Sequence, residues 1–432
     1  MSTVVSKTLS LDLNIDVRRF RPERPPVVLL GGGLNLLRPL GFAGIPAIVA
    51  SPYPREPALS SRYCSGRCLL PPLHNQEAVV ETLLAVQERL ASTLGCRTPL
   101  FYGNDDHLNL IYSFREQLTR RFLLLLNEPD VARALIDKDR FEALARDRGL
   151  AVPRTLTWDD TGPGALSRAE GPVLVKPRLK VGWDDSAIHL RLFGGQGKAR
   201  VFKNGREVMA HPLASQLKEQ LTFQVFIPGG DESLWSFHGY ADEKGELLAW
   251  FVGHKLRTFP SLTGMSTFLE LAHDDELAAI GRDIVARVPL KGVFKIDFKR
   301  DAGNGRVHVL EINARFNLWH HMAAKNGVNL LQVAYNYLVH GTRPAGTRYR
   351  TTFRWLYLRL DVRAFQELAS RGELDLGGWL ASLFRSRKVY DLFSWTDPAP
   401  WLRVGGERAI SRLRRWLDHL KSGLRRWLST AL

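Results

Sequence analysis

A β-hairpin predicted between residues 292 and 313 carries the side chains whose types and spacing could do chemistry. Its first arm, 292–299, alternates apolar and polar residues, which is the pattern of a half-buried strand. Its second arm, 307–313, ends in Glu-Ile-Asn, so that two polar side chains lie on one side of the strand. The sequence Ala-Gly-Asn-Gly at 302–305 is a strong signal for the turn between the arms.

The register of this hairpin decides what its polar face can bind. If the pairing is centred on the turn, Asp297 lies opposite Glu311 and Lys295 lies opposite Asn313. Opposed like charges about 5 Å apart at Cβ repel each other. Carboxylate and amide oxygens are hard ligands, so a divalent cation such as Mg²⁺ would turn that repulsion into binding. The alternative is a half-exposed hairpin whose acids are neutralised by lysines of the same strand.

Asp297 and the run Glu311-Ile312-Asn313-Ala314-Arg315 together resemble the metal-binding strand pair of the ATP-grasp superfamily, most of whose members are carboxylate–amine or carboxylate–thiol ligases. Other segments are similar to further landmarks of that family, in the expected order. They are Asp137-Lys138 leading to Pro153-Arg154-Thr155, the strand Val173-Leu174-Val175-Lys176-Pro177, and Gln224 to Glu232. The match runs over roughly residues 100 to 345, and several motifs in order are more specific than one.

The resemblance implies a nucleotide site and a role for each matching residue. Lysine ammonium groups suit the phosphates of ATP, and a hinge of backbone amides and apolar side chains suits its adenine. The implied phosphate lysines are Lys138, Lys176 and Lys198, the hinge residues are Gln224, Phe226 and Ile227, and the ribose contact is Asp231 or Glu232. A lysine taken alone is better explained as a surface residue, but Lys176 follows an apolar run and precedes Pro177, which a solvated lysine does not require. The alternative for the hinge is an ordinary core strand.

Two glycine clusters have different interpretations. Phe193-Gly194-Gly195-Gln196-Gly197-Lys198-Ala199 is a candidate phosphate lid, because glycines let backbone approach a phosphate, and a plain hairpin turn is the competing interpretation. Gly31-Gly32-Gly33 lacks the dinucleotide fingerprint, since Leu36 stands at the third glycine position and 48–53 contains no acid. We interpret it as a tight strand-to-helix turn in an N-terminal domain that, in the family, contributes to the carboxylate site.

Four basic residues are candidates for the reacting end of the site. Lys255-Leu256-Arg257 resembles a basic strand near the reacting carboxylate of some carboxylate–amine ligases, and a solvated strand is the alternative. Lys295 could contact the transferring phosphoryl group, and Arg315 could hold the oxygens of an acyl phosphate. Both are also explained as neutralisers of the acidic pair. His320-His321 has no acid at metal spacing and no nucleophile motif beside it, which favours packing or substrate contact over catalysis.

The composition predicts a globular protein. The chain has 432 residues, of which 45% are hydrophobic and 24% charged, enough for two or three domains. The first 24 residues lack the apolar block of a signal peptide, and no window reaches eighteen apolar residues. Three cysteines, Cys64, Cys68 and Cys96, cannot all pair, so a reduced, cytoplasmic protein is expected.

The net charge of +16 is not evenly spread along the chain. Residues 401–432 hold eight basic side chains and two acidic ones, and apolar residues from Ile410 to Leu428 recur at steps of three and four. This pattern is typical of a basic amphipathic helix at an anionic membrane surface, on the inner face of the membrane. Packing of the apolar stripe on the enzyme body is the equally weighted alternative. No nucleic-acid motif is present, so no nucleic-acid partner is expected.

The predicted fold class is α/β (α+β), an ATP-grasp fold with a Rossmann-like N-terminal domain (1–125), an ATP-grasp domain (126–345) with a small β-rich lid at about 150–212 and a C-terminal antiparallel sheet, and an extension (346–432). The resemblance implies a ligase that uses ATP with Mg²⁺ or Mn²⁺ to phosphorylate a carboxylate, and then couples the acyl phosphate to an amine with release of ADP and phosphate. The D-aspartate ligase type looks nearest. The alternative is a membrane-associated nucleotide-binding module without turnover.

Overall fold

Within the residues that the computed structural model describes, 13–159, 162, 164–179, 187–193 and 198–407, the strands form three β-sheets. None of the helices in these ranges is both long and apolar enough to cross a bilayer. The predicted amphipathic helix over 410–432 lies outside the described residues.

The N-terminal domain is built on a five-stranded sheet with the order β1-β4-β3-β2-β5, parallel except for β1. Its elements are β1 (Leu13–Asn14), β2 (Val27–Leu30), α1 (Gly33–Phe42), β3 (Ala47–Ser51), β4 (Cys64–Leu69), α2 (Gln76–Leu94), β5 (Leu100–Tyr102), α3 (Asp105–Ser113) and α4 (Arg115–Arg121). The sequence also predicts short strands at 27–30 and 47–50 and a helix at 77–94, and all three are confirmed. Gly31, Gly32 and Gly33 have φ of 70°, 77° and 49°, so the turn into α1 uses backbone conformations that favour glycine.

The sequence also predicts one continuous helix over 130–149, and the structure contains two helices there instead. They are α5 (Pro129–Ile136) and α6 (Lys138–Asp147). Asp137 between them has an extended backbone, with φ −97° and ψ 122°, and its side chain accepts hydrogen bonds from the backbone N–H groups of Asp139 and Arg140. An aspartate that caps a helix in this way starts a new helix instead of continuing the old one.

The predicted lid, about 150–212, supplies three strands of a small antiparallel sheet with the order β6-β9-β7-β8, and its strand β9 lies beyond the predicted range. Its elements are β6 (Thr155–Leu156), β7 (Val173–Pro177), α7 (Ala187–Phe193), β8 (Arg200–Phe202), α8 (Gly205–Ala210), α9 (Pro212–Gln216) and β9 (Leu221–Val225). The lid has its own apolar core, which includes Val173, Val175 and Phe223. Strand β9, which leads into the predicted adenine hinge, is hydrogen-bonded to β6 and β7 of this sheet.

The third sheet carries the predicted metal hairpin. Its first elements are β10 (Leu234–Ala241), β11 (Leu247–Phe259), β12 (Met265–Ala272), α10 (Asp275–Arg287), β13 (Gly292–Arg300), β14 (Val307–Asn313), α11 (Trp319–Lys325) and α12 (Leu330–His340). The register predicted for the hairpin is confirmed, because Asp297 pairs with Glu311 and Lys295 pairs with Asn313. A register shift follows between Asp297 and Phe298.

Residues beyond 345 continue this sheet. Strands β15 (Phe353–Leu356) and β16 (Arg387–Tyr390) complete the order β14-β13-β10-β11-β12-β15-β16, and helices α13 (Leu358–Ser370) and α14 (Leu376–Phe384) lie between them in the chain. We use the name C-terminal extension for residues 346–407. The extension also reaches the N-terminal domain, where Asp397 forms an ion pair of 3.1 Å with Arg38 and both side chains are 0% exposed.

Candidate nucleotide and metal site

The three predicted metal ligands converge at one edge of the large sheet. Asn313 Nδ2 donates hydrogen bonds to Asp297 Oδ2 at 3.2 Å and to Glu311 Oε1 at 3.0 Å. Asp297 and Asn313 are both 3% exposed. The hairpin register therefore brings two carboxylates and an amide within contact distance of each other.

Two lysines from different strands face Asp297. Lys295 Nζ lies 2.7 Å from Asp297 Oδ2, and Lys255 Nζ lies 3.2 Å from Asp297 Oδ1. Burial lowers the pKa of Lys295 to about 8, against the charge of Asp297, which raises it. Lys255 reaches Asp297 across β10, since its own strand β11 is not adjacent to β13. Lys255 and Lys295, two of the four predicted basic residues, therefore lie against Asp297. We use the name acidic site for Asp297, Glu311 and Asn313 together.

The donor set fits a hard divalent cation. Asp297 Oδ1 is buried and accepts no hydrogen bond from the described residues, since Lys255 lies at ion-pair distance without hydrogen-bond geometry. A buried carboxylate oxygen of this kind suits a metal ion. Within the described part of the chain no group of three or more His, Cys, Asp and Glu side chains converges, so the candidate ligands are two carboxylates and the amide of Asn313.

A pocket between the lid and the hairpin brings together four residues predicted to bind nucleotide or metal. They are Lys138, Lys176, Gln224 and Glu311, and the rest of the lining includes Leu135, Phe141, Glu142, Val152, Pro153, Val309 and Leu310. Lys138 Nζ donates a hydrogen bond to the carbonyl of Pro177, at the end of the strand that carries Lys176. The two predicted phosphate lysines therefore lie on adjoining elements.

The predicted hinge begins within strand β9, at Gln224, and continues beyond its end. Gln224 Nε2 donates to Thr155 Oγ1 at 3.2 Å, and the backbone N–H of Phe226 donates to the carbonyl of Pro172 at 2.9 Å. Ile227 is buried at 8% exposure. Lys299 Nζ lies 4.0 Å from the centre of the Phe226 ring, and burial lowers the pKa of Lys299 to about 8. The sequence indicated Lys299 only as a neutraliser of the hairpin acids, and the structure places it at the hinge.

The two acids predicted for the ribose differ in their surroundings. Asp231 is 5% exposed and accepts hydrogen bonds from Thr258 N at 2.6 Å, Thr258 Oγ1 at 2.8 Å and Leu262 N at 2.7 Å. Burial raises its pKa. Glu232 is exposed and accepts a hydrogen bond from Gly230 N at 3.0 Å. The oxygens of Asp231 therefore hold the 258–262 loop, and Glu232 is the better placed of the two for a ribose.

The remaining predicted residues lie at the margins of the site. Arg257 binds Asp361 of the C-terminal extension through Nε and Nη2, both at 2.8 Å, and does not contact the acidic pair. Arg315 binds Asp105 at the first residue of α3 in the same two-pronged way, with both distances 2.8 Å. The backbone N–H of Lys198 donates to the carbonyl of Thr263 at 2.9 Å, while 194–197 of the candidate phosphate lid lie outside the described residues.

The paired histidines are packed in the interior. His320 and His321 are 1% and 2% exposed, and neither ring has a hydrogen-bond partner among the described residues. Burial lowers the pKa of His320 to about 3. The His320 ring lies 5.2 Å from that of Phe316. These contacts are those of packing residues.

Sequence reasoning missed Asp105 and Asp361. Asp105 follows Asn104, whose side chain caps α3 by accepting a hydrogen bond from His107 N, and this capping pattern was the only local signal. Asp361 lies inside an amphipathic helix of the extension, α13. Their arginine partners are 210 and 104 residues away in the chain, which no local pattern could reveal.

No protein-family model matches the sequence, and no curated protein sequence matches it. Solved structures do resemble the fold. N5-carboxyaminoimidazole synthetase from Staphylococcus aureus, complexed with ADP, has a TM-score of 0.54 at 13% identity, covering 76% of this chain and 81% of that one. The biotin carboxylase domain of the 2-oxoglutarate carboxylase from Hydrogenobacter thermophilus, with MgADP, ADP and bicarbonate, has a TM-score of 0.51 at 15% identity, covering 76% and 73%.

An L-amino acid ligase from Bacillus licheniformis is a third similar structure, with a TM-score of 0.50 at 13% identity, covering 73% of this chain and 74% of that one. Identities this low establish the fold and nothing finer. The three sheets and these matches together show that the chain has the ATP-grasp fold predicted from its motifs.

Proposed function

We propose that the protein is an ATP-dependent ligase that phosphorylates a substrate carboxylate and couples the resulting acyl phosphate to an amine, with release of ADP and phosphate. The observation that carries the proposal is the meeting of Lys138, Lys176 and Glu311 around one pocket, with Asp297 and Asn313 beside it. A fold alone supports many activities, so the proposal depends on these side chains.

The chain's own residues account for nucleotide binding. Lys138 and Lys176 supply positive charge for the phosphates, and the apolar lining beside Gln224 takes the base. Asp297, Glu311 and Asn313 would hold Mg²⁺ or Mn²⁺, which neutralises charge on the phosphates during transfer. Glu232 is assigned to the ribose, because Asp231 is occupied by the 258–262 loop.

Charged side chains orient the reacting groups. The ammonium groups of Lys255 and Lys295 lie within 3.2 Å of Asp297, where they can bind the oxygens of a transferring phosphoryl group. Arg315 is held in a fixed orientation by Asp105, which suits it to bind the oxygens of an acyl phosphate. Catalysis of this kind depends on positioning and electrostatics, so no dedicated base is required.

The N-terminal domain is assigned to the carboxylate substrate. The turn Gly31–Gly33 follows β2, and Asp105 follows the adjacent parallel strand β5, so both lie at the carboxyl edge of the sheet. Ligands of open parallel sheets bind at that edge. Asp105 joins this edge to Arg315 of the acidic site. An amino acid as one substrate agrees with the resemblance to the D-aspartate ligase type.

The membrane partner stays a prediction from the sequence of 401–432. The cytoplasmic location stays a prediction from the three cysteines. A membrane-associated nucleotide-binding module without turnover is the alternative function. Convergence of both phosphate lysines with Glu311 at one pocket favours the ligase, since a degenerate site loses such residues.

Product analysis tests the proposal. The full-length protein is incubated with Mg-ATP and with pairs of amino acids and small carboxylic acids, and ADP release is followed. With the correct carboxylate, hydroxylamine in place of the amine should trap a hydroxamate only when ATP is present. AMP as the nucleotide product would contradict the acyl phosphate route. Binding of Mg-ATP without turnover by any pair would favour the non-catalytic module.

A further inference from the structure

The C-terminal extension is joined to the rest of the protein by two buried arginine–carboxylate pairs. Asp361 binds Arg257 of strand β11, and Asp397 binds Arg38 of α1. Both aspartates are 0% exposed. The pairs are similar in chemistry and burial, but only the first joins a strand that contributes to the acidic site.

Asp361 is bonded by donors from three elements. In addition to the two hydrogen bonds from Arg257, it accepts one from Thr267 Oγ1 of β12 at 2.8 Å and one from Trp379 Nε1 of α14 at 2.9 Å. The Arg257 guanidinium also lies 4.5 Å from the centre of the Phe268 ring. Because the Asp361 carboxylate is itself held by these other donors, its two hydrogen bonds to the Arg257 guanidinium hold that side chain, and with it the backbone of Arg257, in place.

The backbone of β11 is irregular at this point. Its pairing with β12 shifts register between Lys255 and Arg257 and again between Arg257 and Thr258. Irregularities of this kind re-aim the side chains of a strand. Lys255, two residues from Arg257, directs its ammonium group to Asp297 Oδ1 at 3.2 Å, across the intervening strand β10.

We propose that Asp361 is a positioning residue of the acidic site: through Arg257 it fixes the irregular segment of β11 so that Lys255 acts as the resident counter-ion of Asp297. This inference rests on the proposed nucleotide and metal site. With Lys255 and Lys295 both facing Asp297, a divalent cation arriving alone must compete with two ammonium groups. A cation arriving with nucleotide brings phosphates, to which Lys255 transfers its interaction. The arrangement therefore favours the metal–nucleotide complex over the free metal.

Two measurements on the full-length protein should then change in opposite directions. In Lys255→Met, affinity for free Mn²⁺ without nucleotide, measured by electron paramagnetic resonance, should rise about tenfold, and affinity for Mg-ADP, measured by calorimetry, should fall about tenfold. Asp361→Asn should change the two affinities as Lys255→Met does, raising that for Mn²⁺ and lowering that for Mg-ADP, each by about threefold or more. In the double variant, the effect of Asp361→Asn should disappear, because Lys255 is no longer there to be positioned.

Asp397→Asn is the matched control, because it disrupts an equally buried pair of the same extension without contact to β11. It should lower the unfolding temperature but leave both affinities within about twofold of the wild type. If Asp361→Asn does not fold, Arg257→Lys replaces it, since a lysine keeps the charge and loses the two-pronged contact. The inference is overturned if the folded variant behaves like Asp397→Asn, or if both affinities change in one direction. Failure of the wild type to bind Mg-ADP would instead overturn the proposed function.

Discussion

Asp297 and Asp231 have nearly equal exposure, 3% and 5%, but they are stabilised by different kinds of partner. Asp297 faces the ammonium groups of Lys255 and Lys295, which sit on flexible stems. Asp231 faces backbone N–H and hydroxyl groups of the 258–262 loop, which cannot move without the loop. An ammonium group on such a stem can turn from the carboxylate to a ligand without movement of the backbone, whereas a hydrogen-bonded loop cannot. Burial alone therefore does not separate the two carboxylates, and we propose that the type of partner marks Asp297 as the one that binds a ligand.

The largest expected effect comes from the acidic pair. Glu311→Gln keeps the shape of the side chain and removes a charged metal ligand, so metal-dependent binding of ADP should weaken by roughly 100-fold. The measurement is thermal stabilisation by Mg-ADP, compared with stabilisation by ADP in the presence of a chelator. Glu276→Gln, which alters an exposed acid paired with Arg300, is the control. An undiminished shift in Glu311→Gln would remove Glu311 from the metal site.

Substitution of Asp231, the second carboxylate of the comparison, should lower stability instead of nucleotide affinity. Asp231→Asn replaces an acceptor-only group with one that presents N–H groups to N–H and O–H donors, and the free energy of unfolding should fall by about 2 to 3 kcal/mol. Urea unfolding measures this change, and calorimetry with Mg-ADP should give an affinity close to that of the wild type. A large loss of nucleotide affinity without loss of stability would show that the two carboxylates do not differ as described.

Low pH should lower the free energy of unfolding through buried neutral histidines such as His320. The pKa of His320 is about 3 in the folded protein, because burial disfavours its charged form, and its ordinary value is 6.5. Between these values the unfolded chain binds more protons than the folded one, so stability rises with pH and is lost as pH falls below 6.5. At pH 5 the cost is about 2 kcal/mol. The loss of unfolding free energy from pH 7 to pH 5 should be smaller by this amount in His320→Gln, and an identical loss in both proteins would contradict it.

The smallest expected effect is that of substituting Glu232, the neighbour of Asp231. Glu232→Gln should leave stability unchanged, because the side chain is exposed, and should weaken binding of ADP by about fivefold if its carboxylate accepts hydrogen bonds from the ribose. Calorimetry with ADP and with 2′,3′-dideoxy-ADP provides the comparison. The variant and the wild type should bind the dideoxy nucleotide equally. A difference there would show that Glu232 does not act through the ribose.

The hairpin could be predicted in detail because its information is local. Alternation in 292–299 and the glycine-containing turn at 302–305 fix which residues face each other, and the confirmed pairing of Asp297 with Glu311 follows from them. Spaced motifs also predicted the ATP-grasp fold and the meeting of Lys138 with Lys176, since each motif is a short local pattern.

Contacts between distant segments could not be predicted in this way. Arg257 was assigned to a substrate because its neighbours in sequence resemble a family strand, but its partner Asp361 lies 104 residues away in the chain. Pairing of Arg315 with Asp105 likewise depends on how the N-terminal sheet packs against the hairpin. The division of the 130–149 helix at Asp137 was predictable in principle, since Asp is a good capping residue, but helical periodicity continues across it.

The pairing of Arg38 with Asp397 has a consequence for synthesis of the protein. The two residues are 359 positions apart, so all of the chain between them must leave the ribosome before this arginine meets its counter-charge. Until then Arg38, on a helix of the first domain, stays unpaired and hydrated, because burying an isolated charge is costly. Strands β15 and β16 likewise join their sheet only after its other strands have been made. The contact between the C-terminal extension and α1 is therefore among the last contacts of the molecule to form, and a chain released before residue 397 lacks it.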